Sequence, residues 1–252
     1  MGLLFKPHPW HGIDVGAAAP RKLNCYIEIV PTDTVKFEID KSSGYLKLDR
    51  PQKYSNFCPA LYGFIPQTYC GDEVAELCNA RTGRGDIVGD GDPLDICVLT
   101  EKEVMHGDII LEAIPIGGLR MIDGNEADDK IIAVLHNDAV YGEYEDLENA
   151  PYPVIERLRH YFLTYKDTPG TKKISEITHV YNRDEAHEVI ERSMADYRAK
   201  YGAISSLLNS VAQPKEMAGT IAFLLDPEKS SYVTGQTINV DGGFTAGGLI
   251  RP

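Results

Sequence analysis

Along the first two thirds of the chain, apolar and β-branched residues come in short blocks at 25–30, 35–39, 45–48, 96–99, 109–116 and 130–135, separated by Gly, Pro and Asp. Blocks of this length with such punctuation predict six strands. Because they precede any strong helix signal, they predict a closed or partly closed antiparallel barrel. The period then changes. Over 153–166, Ile155, Leu158, Phe162 and Tyr165 fall on one stripe and Pro153 suits a first turn, which predicts the first helix. A strand over 174–181 and a second helix over about 184–201 follow, with Gly202 placed as its stop.

After Gly202 the run AISSLLNSVAQ reads as a polar, small-residue connector, so a boundary is expected there. Beyond it, Met217, Ile221, Phe223 and Leu224 form an apolar stripe and residues 237–240 a strand. Both look built to pack on a parallel sheet that the chain does not supply. The expected organisation is a domain over 1–202 and a non-catalytic tail over 203–252, loosely docked or disordered because one helix and one strand bury too little surface alone.

Charge narrows the function classes. The formal net charge is −13, from 25 Lys plus Arg against 38 Asp plus Glu. Such a surface repels nucleic acid and anionic lipid, and an anionic substrate would need a local reversal of that field. Cys25, Cys58, Cys70, Cys78 and Cys97 show no CxxC pairing, which argues for reduced thiols and against a structural zinc site. The opening MGLLFKPHPW has neither a secretory apolar region nor a membrane span, so a cytoplasmic protein is expected.

The stretch GDGDPLDICVLTE crowds Asp90, Asp92 and Asp95 at the entrance of a strand. Carboxylates so spaced across a Gly-Pro turn share one space, which is tolerable chiefly when divalent cations neutralise them; taken alone the run also reads as a solvated turn. An EF-hand is excluded, because its glycine and terminal glutamate are missing. A second acidic cluster, MIDGNEADDK, carries Asp123, Asp128, Asp129 and Lys130 between two strand blocks. Two such clusters, each at a strand end, form opposite walls of one metal-lined cleft, and hard oxygen donors favour Mg²⁺ or Mn²⁺ over zinc. Glu28, Lys36, Glu38, Lys41 and Arg50 alternate through two more strand blocks, with Lys36 and Glu38 on one face. They read either as a solvent-facing salt-bridged strand or as cations that hold phosphate oxygens beside carboxylate-held metals.

The blocks VKFEID, LDR, YGFIP, GDGDPLD, MIDGNEADDK and HYFLTYK, in this order, resemble the soluble family I inorganic pyrophosphatases over residues 23 to about 202. The resemblance implies an α+β fold, mainly β with flanking helices, built on an OB-like five-stranded antiparallel barrel with the short helix-strand appendage behind it. It implies Mg²⁺, with Mn²⁺ as a possible substitute, pyrophosphate as substrate and a homo-oligomer. On the matching positions, Asp90, Asp95 and Asp128 are ligands of the tightest metal, and Asp95 is shared with a second metal that holds the nucleophilic water. Asp92 accepts the proton of that metal-bridged water. Glu28, Glu38, Asp123 and Asp128 serve metals that arrive with substrate. Lys36, Arg50, Lys130, Tyr165 and Lys166 grip the phosphoryl groups, and Tyr62 hydrogen-bonds near the aspartates.

The segment 70–89, CGDEVAELCNARTGRGDIVG, lengthens the spacing between Tyr62 and Asp90 and is expected to be a surface excursion near the cleft rim; no GK[ST] follows its glycines, so it is not a P-loop. His8 and His11 flank Trp10 and are read as packing or solvated groups. His160, His179 and His187 receive no role. Residues 213–244 resemble the end of short-chain dehydrogenases, which keeps an NAD(P)-dependent oxidoreductase as the alternative. The upstream chain has no Gly-rich nucleotide turn and no YxxxK pair, since Tyr197 and Lys200 are three apart.

Overall fold

The computed structural model of the protein describes residues 6–52, 57–166, 175–208, 214–234 and 238. They divide into two compact units, one spanning Pro7–Ala199 and the other holding Lys6 and the described residues from Lys200 onward.

In the larger unit the apolar blocks become β1 (Leu23–Ile29), β2 (Val35–Ile39), β3 (Leu46–Pro51) and β4 (Leu61–Phe64). Helix α1 (Asp72–Thr82) intervenes before β5 (Val88–Gly89), β6 (Asp95–Leu99), β7 (Ile109–Asp123), β8 (Glu126–Ala127) and β9 (Lys130–Leu135). Helix α2 (Tyr152–Thr164), β10 (Ser175–Asn182) and α3 (Arg183–Leu208) complete the order. β1 pairs antiparallel with β4 and β7, β4 with β6 and β9 with β7, so five strands close a ring. One contact departs from the antiparallel expectation: β6 and β9 run parallel. The cause is topological. β9 inserts between β6 and β7, which run in opposite directions, and a strand entering there must be parallel to one of them. β10 extends the sheet along the end of β7, where a Cβ on Gly118 would sit 2.4 Å from the Tyr181 ring, so only glycine allows the approach. β2 and β3 form a separate two-stranded hairpin.

Two apolar clusters fill this unit. One joins Cys25, Ile27, Ile96, Val98 and Ile131 of the ring to Val74 and Leu77 of α1 and to Val189 and Ile190 of α3. The other joins Cys97, Leu119 and Ile132 to Ile155, Leu158 and Phe162 of α2, the stripe predicted for that helix. Trp10 is also buried, and its indole N–H donates to the Thr68 carbonyl at 2.7 Å; His11 stacks on it and bonds Tyr197 at 2.9 Å.

Two expectations are corrected. Segment 70–89 is no surface excursion, because most of it is α1, which buries Val74, Ala75, Leu77 and Cys78. Its N-terminus has no local cap. The N–H groups of Gly71, Glu73 and Val74 donate instead to the Asp196 carboxylate of α3, at 2.9, 3.0 and 3.1 Å. A cap supplied from more than a hundred residues away leaves no sequence signature. Gly202 likewise does not stop α3, which is helical to Leu208; a lone glycine costs a helix only about 1 kcal/mol, too little to end a long one.

The second unit contains α4 (Pro214–Leu225) and α5 (Pro227–Ser230), the latter capped by the Asp226 side chain accepting from Glu228 N–H. Met217, Ile221, Phe223 and Leu224 of the predicted stripe lie on α4 and remain exposed. Of the predicted strand 237–240, only residue 238 lies among the described residues.

Asp196→Ala removes three contacts to otherwise orphaned N–H groups. We expect it to lower unfolding stability by about 2 kcal/mol, read as a reduced urea midpoint at unchanged slope. An unmoved midpoint would mean that the start of α1 does not depend on this carboxylate.

Candidate active site

The ends of β1, β4, β6, β7 and β9, the β2–β3 hairpin and the end of α2 surround a cleft of about 240 Å³. All thirteen residues singled out from the sequence line it: Glu28, Lys36, Glu38, Arg50, Tyr62, Asp90, Asp92, Asp95, Asp123, Asp128, Lys130, Tyr165 and Lys166. Eight carboxylates face five cations there, because Glu126 and Lys41 line it too.

The local chain explains the convergence. Asp95 is the first residue of β6 and its register partner in the parallel pair is Lys130, the first residue of β9. Lys130 is 1% exposed. Its ammonium donates to Asp95 Oδ2 at 2.5 Å and to Asp128. Burial alone would lower the Lys130 pKa, but Asp128 and Asp95 reverse that and hold it well above its ordinary value. Tyr62 on β4 donates to Asp95 Oδ2 at 2.5 Å, and burial followed by the Asp95 charge keeps this phenol protonated. Phe162 of α2 lies beneath the ammonium at 5.7 Å. The stripe that anchors α2 therefore also floors the site.

Asp90 and Asp92 sit on the turn before β6, where Gly91 adopts φ +77°, a left-handed conformation that favours glycine. Asp92 N–H donates to Asp90 Oδ1 at 2.9 Å, and Asp92 is ion-paired with Lys41. Asp123, at the end of β7, accepts from Lys166 at 2.5 Å and from Ser175 Oγ at 2.8 Å. Burial pushes its carboxyl up, yet these bonds together carry it below the usual range. On the hairpin, Lys36 bonds Glu38 at 2.7 Å and lies 3.5 Å from Asp49, while Arg50 pairs with Asp49 at 2.6 Å.

Glu28 and Asp90 stand apart. Neither has an ion-pair partner among the described residues; Glu28 accepts only the Ile39 N–H, at 2.7 Å. Burial, followed for Asp90 by the Asp128 charge, pushes both carboxyls up to about 8. Buried oxygens with this demand for positive charge, amid an excess of carboxylates, fit divalent cations bound by hard donors. Among the described residues no three acidic, His or Cys side chains are already gathered as a metal-ligand group; Lys41, Lys130 and Lys166 hold Asp92, Asp95, Asp128 and Asp123 instead.

Sequence reasoning named Lys41 among the alternating charges without giving it a role of its own, and left out Asp49, Gln52, Glu126 and Tyr161. Lys41 and Asp49 belong to the charged alternation around the hairpin, a signal that was present. Asp129 was grouped with the acidic cluster but turns the other way. It is buried beside Arg120 at 3.3 Å and accepts from Tyr181 Oη at 3.1 Å, away from the cleft.

Comparison with known proteins gives two family matches. The family model described as inorganic pyrophosphatase matches residues 25–198. One described as enoyl-(acyl carrier protein) reductase matches residues 168–245. An inorganic pyrophosphatase of Chlamydia muridarum is 54% identical over 196 residues, 75% of this chain and 93% of that protein. A soluble inorganic pyrophosphatase of rice is 35% identical over 76% of this chain and 80% of its own length. The crystal structure of inorganic pyrophosphatase from Thermus thermophilus superposes with a TM-score of 0.64 at 29% identity, covering 77% of this chain and 99% of that one.

The raised carboxyls make stability depend on pH. Folded Glu28 and Asp90 hold protons up to about pH 8, whereas the unfolded groups release them near pH 4. Their contribution is complete below about pH 4 and is lost as pH rises through 8. His11, lowered by burial to about 4, has the opposite sign, but its contribution is complete above its ordinary value of 6.5. We therefore expect the metal-free protein to lose thermal stability between pH 6.5 and 8, and excess Mg²⁺ to restore it with proton release seen by calorimetry in two buffers. Metal binding without proton release would show that these carboxyls are already ionised.

Proposed function

The chain belongs to the inorganic pyrophosphatase family, and from that premise we infer that it hydrolyses inorganic pyrophosphate to two phosphates in this cleft, with divalent cations as cofactor. The observation that carries the reading is the meeting of eight carboxylates and five cations around one opening: carboxylates to hold metal and accept a proton, cations to hold a tetra-anionic substrate and to orient carboxylates.

Asp90, Asp95 and Asp128 hold the tightest cation, and Glu28, Glu38 and Asp123 serve those that come with substrate. Bound Mg²⁺, or Mn²⁺ in its place, supplies positive charge that neutralises carboxylates and substrate and acidifies water. The rest falls to the chain. Asp92 accepts the proton as water oxygen attacks one phosphorus and the bridging P–O bond breaks. Lys36, Arg50, Lys130, Tyr165 and Lys166 hold phosphoryl oxygens and stabilise charge on the departing phosphate. Tyr62 fixes Asp95 through its short hydrogen bond. Lys130 and Lys166 already sit on Asp128, Asp95 and Asp123, so the residues that would hold the cations and those that grip substrate are neighbours in one network. Nucleoside triphosphates are poor substrates in this reading, because no aromatic or amide-rich base pocket is evident among the described residues around the cleft.

The same reading takes the protein as a cytoplasmic homo-oligomer. No described helix is long and apolar enough to cross a membrane, and Met105, Ile110 and Tyr152 leave large apolar side chains exposed for assembly. The appended tail from about residue 203 is read as non-catalytic, since every residue assigned to chemistry lies between 28 and 166. The oxidoreductase alternative draws support from the second family match alone.

Two measurements test these roles. Asp92→Asn should lower kcat by about 10²–10³-fold while leaving tight metal binding intact, whereas Asp95→Asn should weaken metal binding as well, both read by phosphate release and calorimetry. Wild-type turnover in Asp92→Asn removes it as acceptor. A chain ended after Leu208, which keeps α3 whole, should retain metal-dependent turnover; its loss in a folded protein of unchanged sedimentation would place the tail in the site.

A further inference from the structure

We infer that Lys41 is a positioning residue for Asp92, held in place by an N-terminal arm over residues 7–12. The inference rests on the reading of Asp92 as proton acceptor. Asp92 and Lys41 reach one another from different turns, Asp92 from the turn before β6 and Lys41 from the 40–44 turn of the hairpin. Both turns are tied to the same arm.

On the hairpin side, His8 Nε2–H donates to the Lys41 carbonyl at 3.2 Å. The tautomer is fixed because His8 Nδ1 accepts from Trp10 N–H, also at 3.2 Å. The turn itself is locked, with Gly44 N–H on Asp40 O at 2.7 Å and Ser42 and Ser43 hydroxyls on the Asp40 carboxylate. Gly44 has φ +72°, and a Cβ there would lie 2.8 Å from the His8 ring and 2.9 Å from Pro9 Cδ. The arm therefore lies flat against the turn that carries Lys41.

On the strand side, the Trp10 indole is bound to Thr68 O, and Thr68 Oγ1 accepts from Leu94 N–H at 2.9 Å, the residue before Asp95. Cys70 N–H donates to Asp92 O at 2.8 Å. One buried tryptophan thus references both backbones. Lys41 supplies the cation that holds the Asp92 carboxylate on the hairpin side of the cleft.

The pair is half-exposed, 48% for Lys41 and 39% for Asp92. Pairs in that setting add little to folding, so a variant can be read in catalysis without a confounding loss of fold. A cation that positioned the acceptor changes kcat; one that gripped substrate in ground and transition state alike changes KM.

The test compares wild type, Lys41→Met, Lys41→Arg, Asp92→Asn and the Lys41→Met/Asp92→Asn double variant in Mg²⁺-dependent phosphate release, with thermal melting as the check on folding. We expect Lys41→Met to lower kcat about tenfold with KM changed less than about twofold, Lys41→Arg to recover most of it, and the double variant to be no slower than Asp92→Asn. Independent multiplication of the two losses, a rise in KM at unchanged kcat, or wild-type turnover in Lys41→Met would overturn the inference. Should wild type release no phosphate, the pyrophosphatase reading is what fails. The pair is then tested without turnover, by mass-spectrometric acylation of Lys41 in the metal-free protein. Acylation several-fold faster in Asp92→Asn than in wild type supports the pair, and equal rates overturn it.

Discussion

The ammonium of Lys130, buried between Asp95 and Asp128, is the interaction on which the site depends. A charge taken out of water costs several kcal/mol unless it is paired at close range. Here the pairing also fixes topology. Asp95 and Lys130 open neighbouring parallel strands in register, so the side chains that must meet do so at one end of the ring. The parallel contact, the departure from a uniformly antiparallel barrel, is thus the feature that brings the two acidic motifs together. Phe162 from α2 lies against the same ammonium and Tyr62 from β4 donates to its partner Asp95, which links the packing of both elements to the electrostatics of the cleft.

The opposite face of the same turn carries a second buried charge pair. Between Asp128 and Lys130, which face the cleft, Asp129 turns outward to Arg120, and Arg120 continues to Glu185 at 2.9 Å. Alternation along an extended chain makes this unavoidable: three consecutive charged residues cannot all face one way. Among the described residues Arg120 Nε and Nη1 and Asp129 Oδ1 find no hydrogen-bond partner, so the pair is incompletely satisfied there. A buried pair of that kind gives weak net stability but strong dependence of each partner on the other. It favours one orientation of the turn that presents Asp128 and Lys130.

Much of this was legible in the sequence, for a physical reason. Strands in a half-buried ring announce themselves by short apolar blocks, and 96–99 and 130–135 appear as β6 and β9 within a residue. The charged residues of the cleft were legible because like charges crowded at strand mouths have few explanations other than a shared counter-ion. What escaped was carried by distant partners. α1 has a weakly amphipathic sequence and a capping carboxylate supplied by α3, so only the acidic first turn of Asp72 and Glu73 marks its start locally. Lys41 stood in the charged alternation, but its pairing escaped because the partner, Asp92, is 51 residues on. Gly202 misled because glycine ends a helix only when the chain needs a left-handed residue there, and α3 continues through it.

Residues 168–198 lie within both family matches, and backbone pairing decides which architecture they serve. β10 pairs antiparallel with β7 from Ser175–Asp123 to Asn182–Gly117, with one bulge between Ile177 and His179. Tyr181 then lies against Gly118 and in the apolar cluster with Val189 and Ile190 of α3. Ser175, the first residue of the strand, donates to Asp123 in the cleft. A segment that completes a sheet, a core and a cleft carboxylate's hydrogen bonding at once is fixed by three independent constraints, and each belongs to the ring. On α4, the described side chains of Met217, Ile221, Phe223 and Leu224 stay exposed. The share of 168–198 in the second match is thus a likeness of sequence, while the described backbone from 175 onward is committed to the ring.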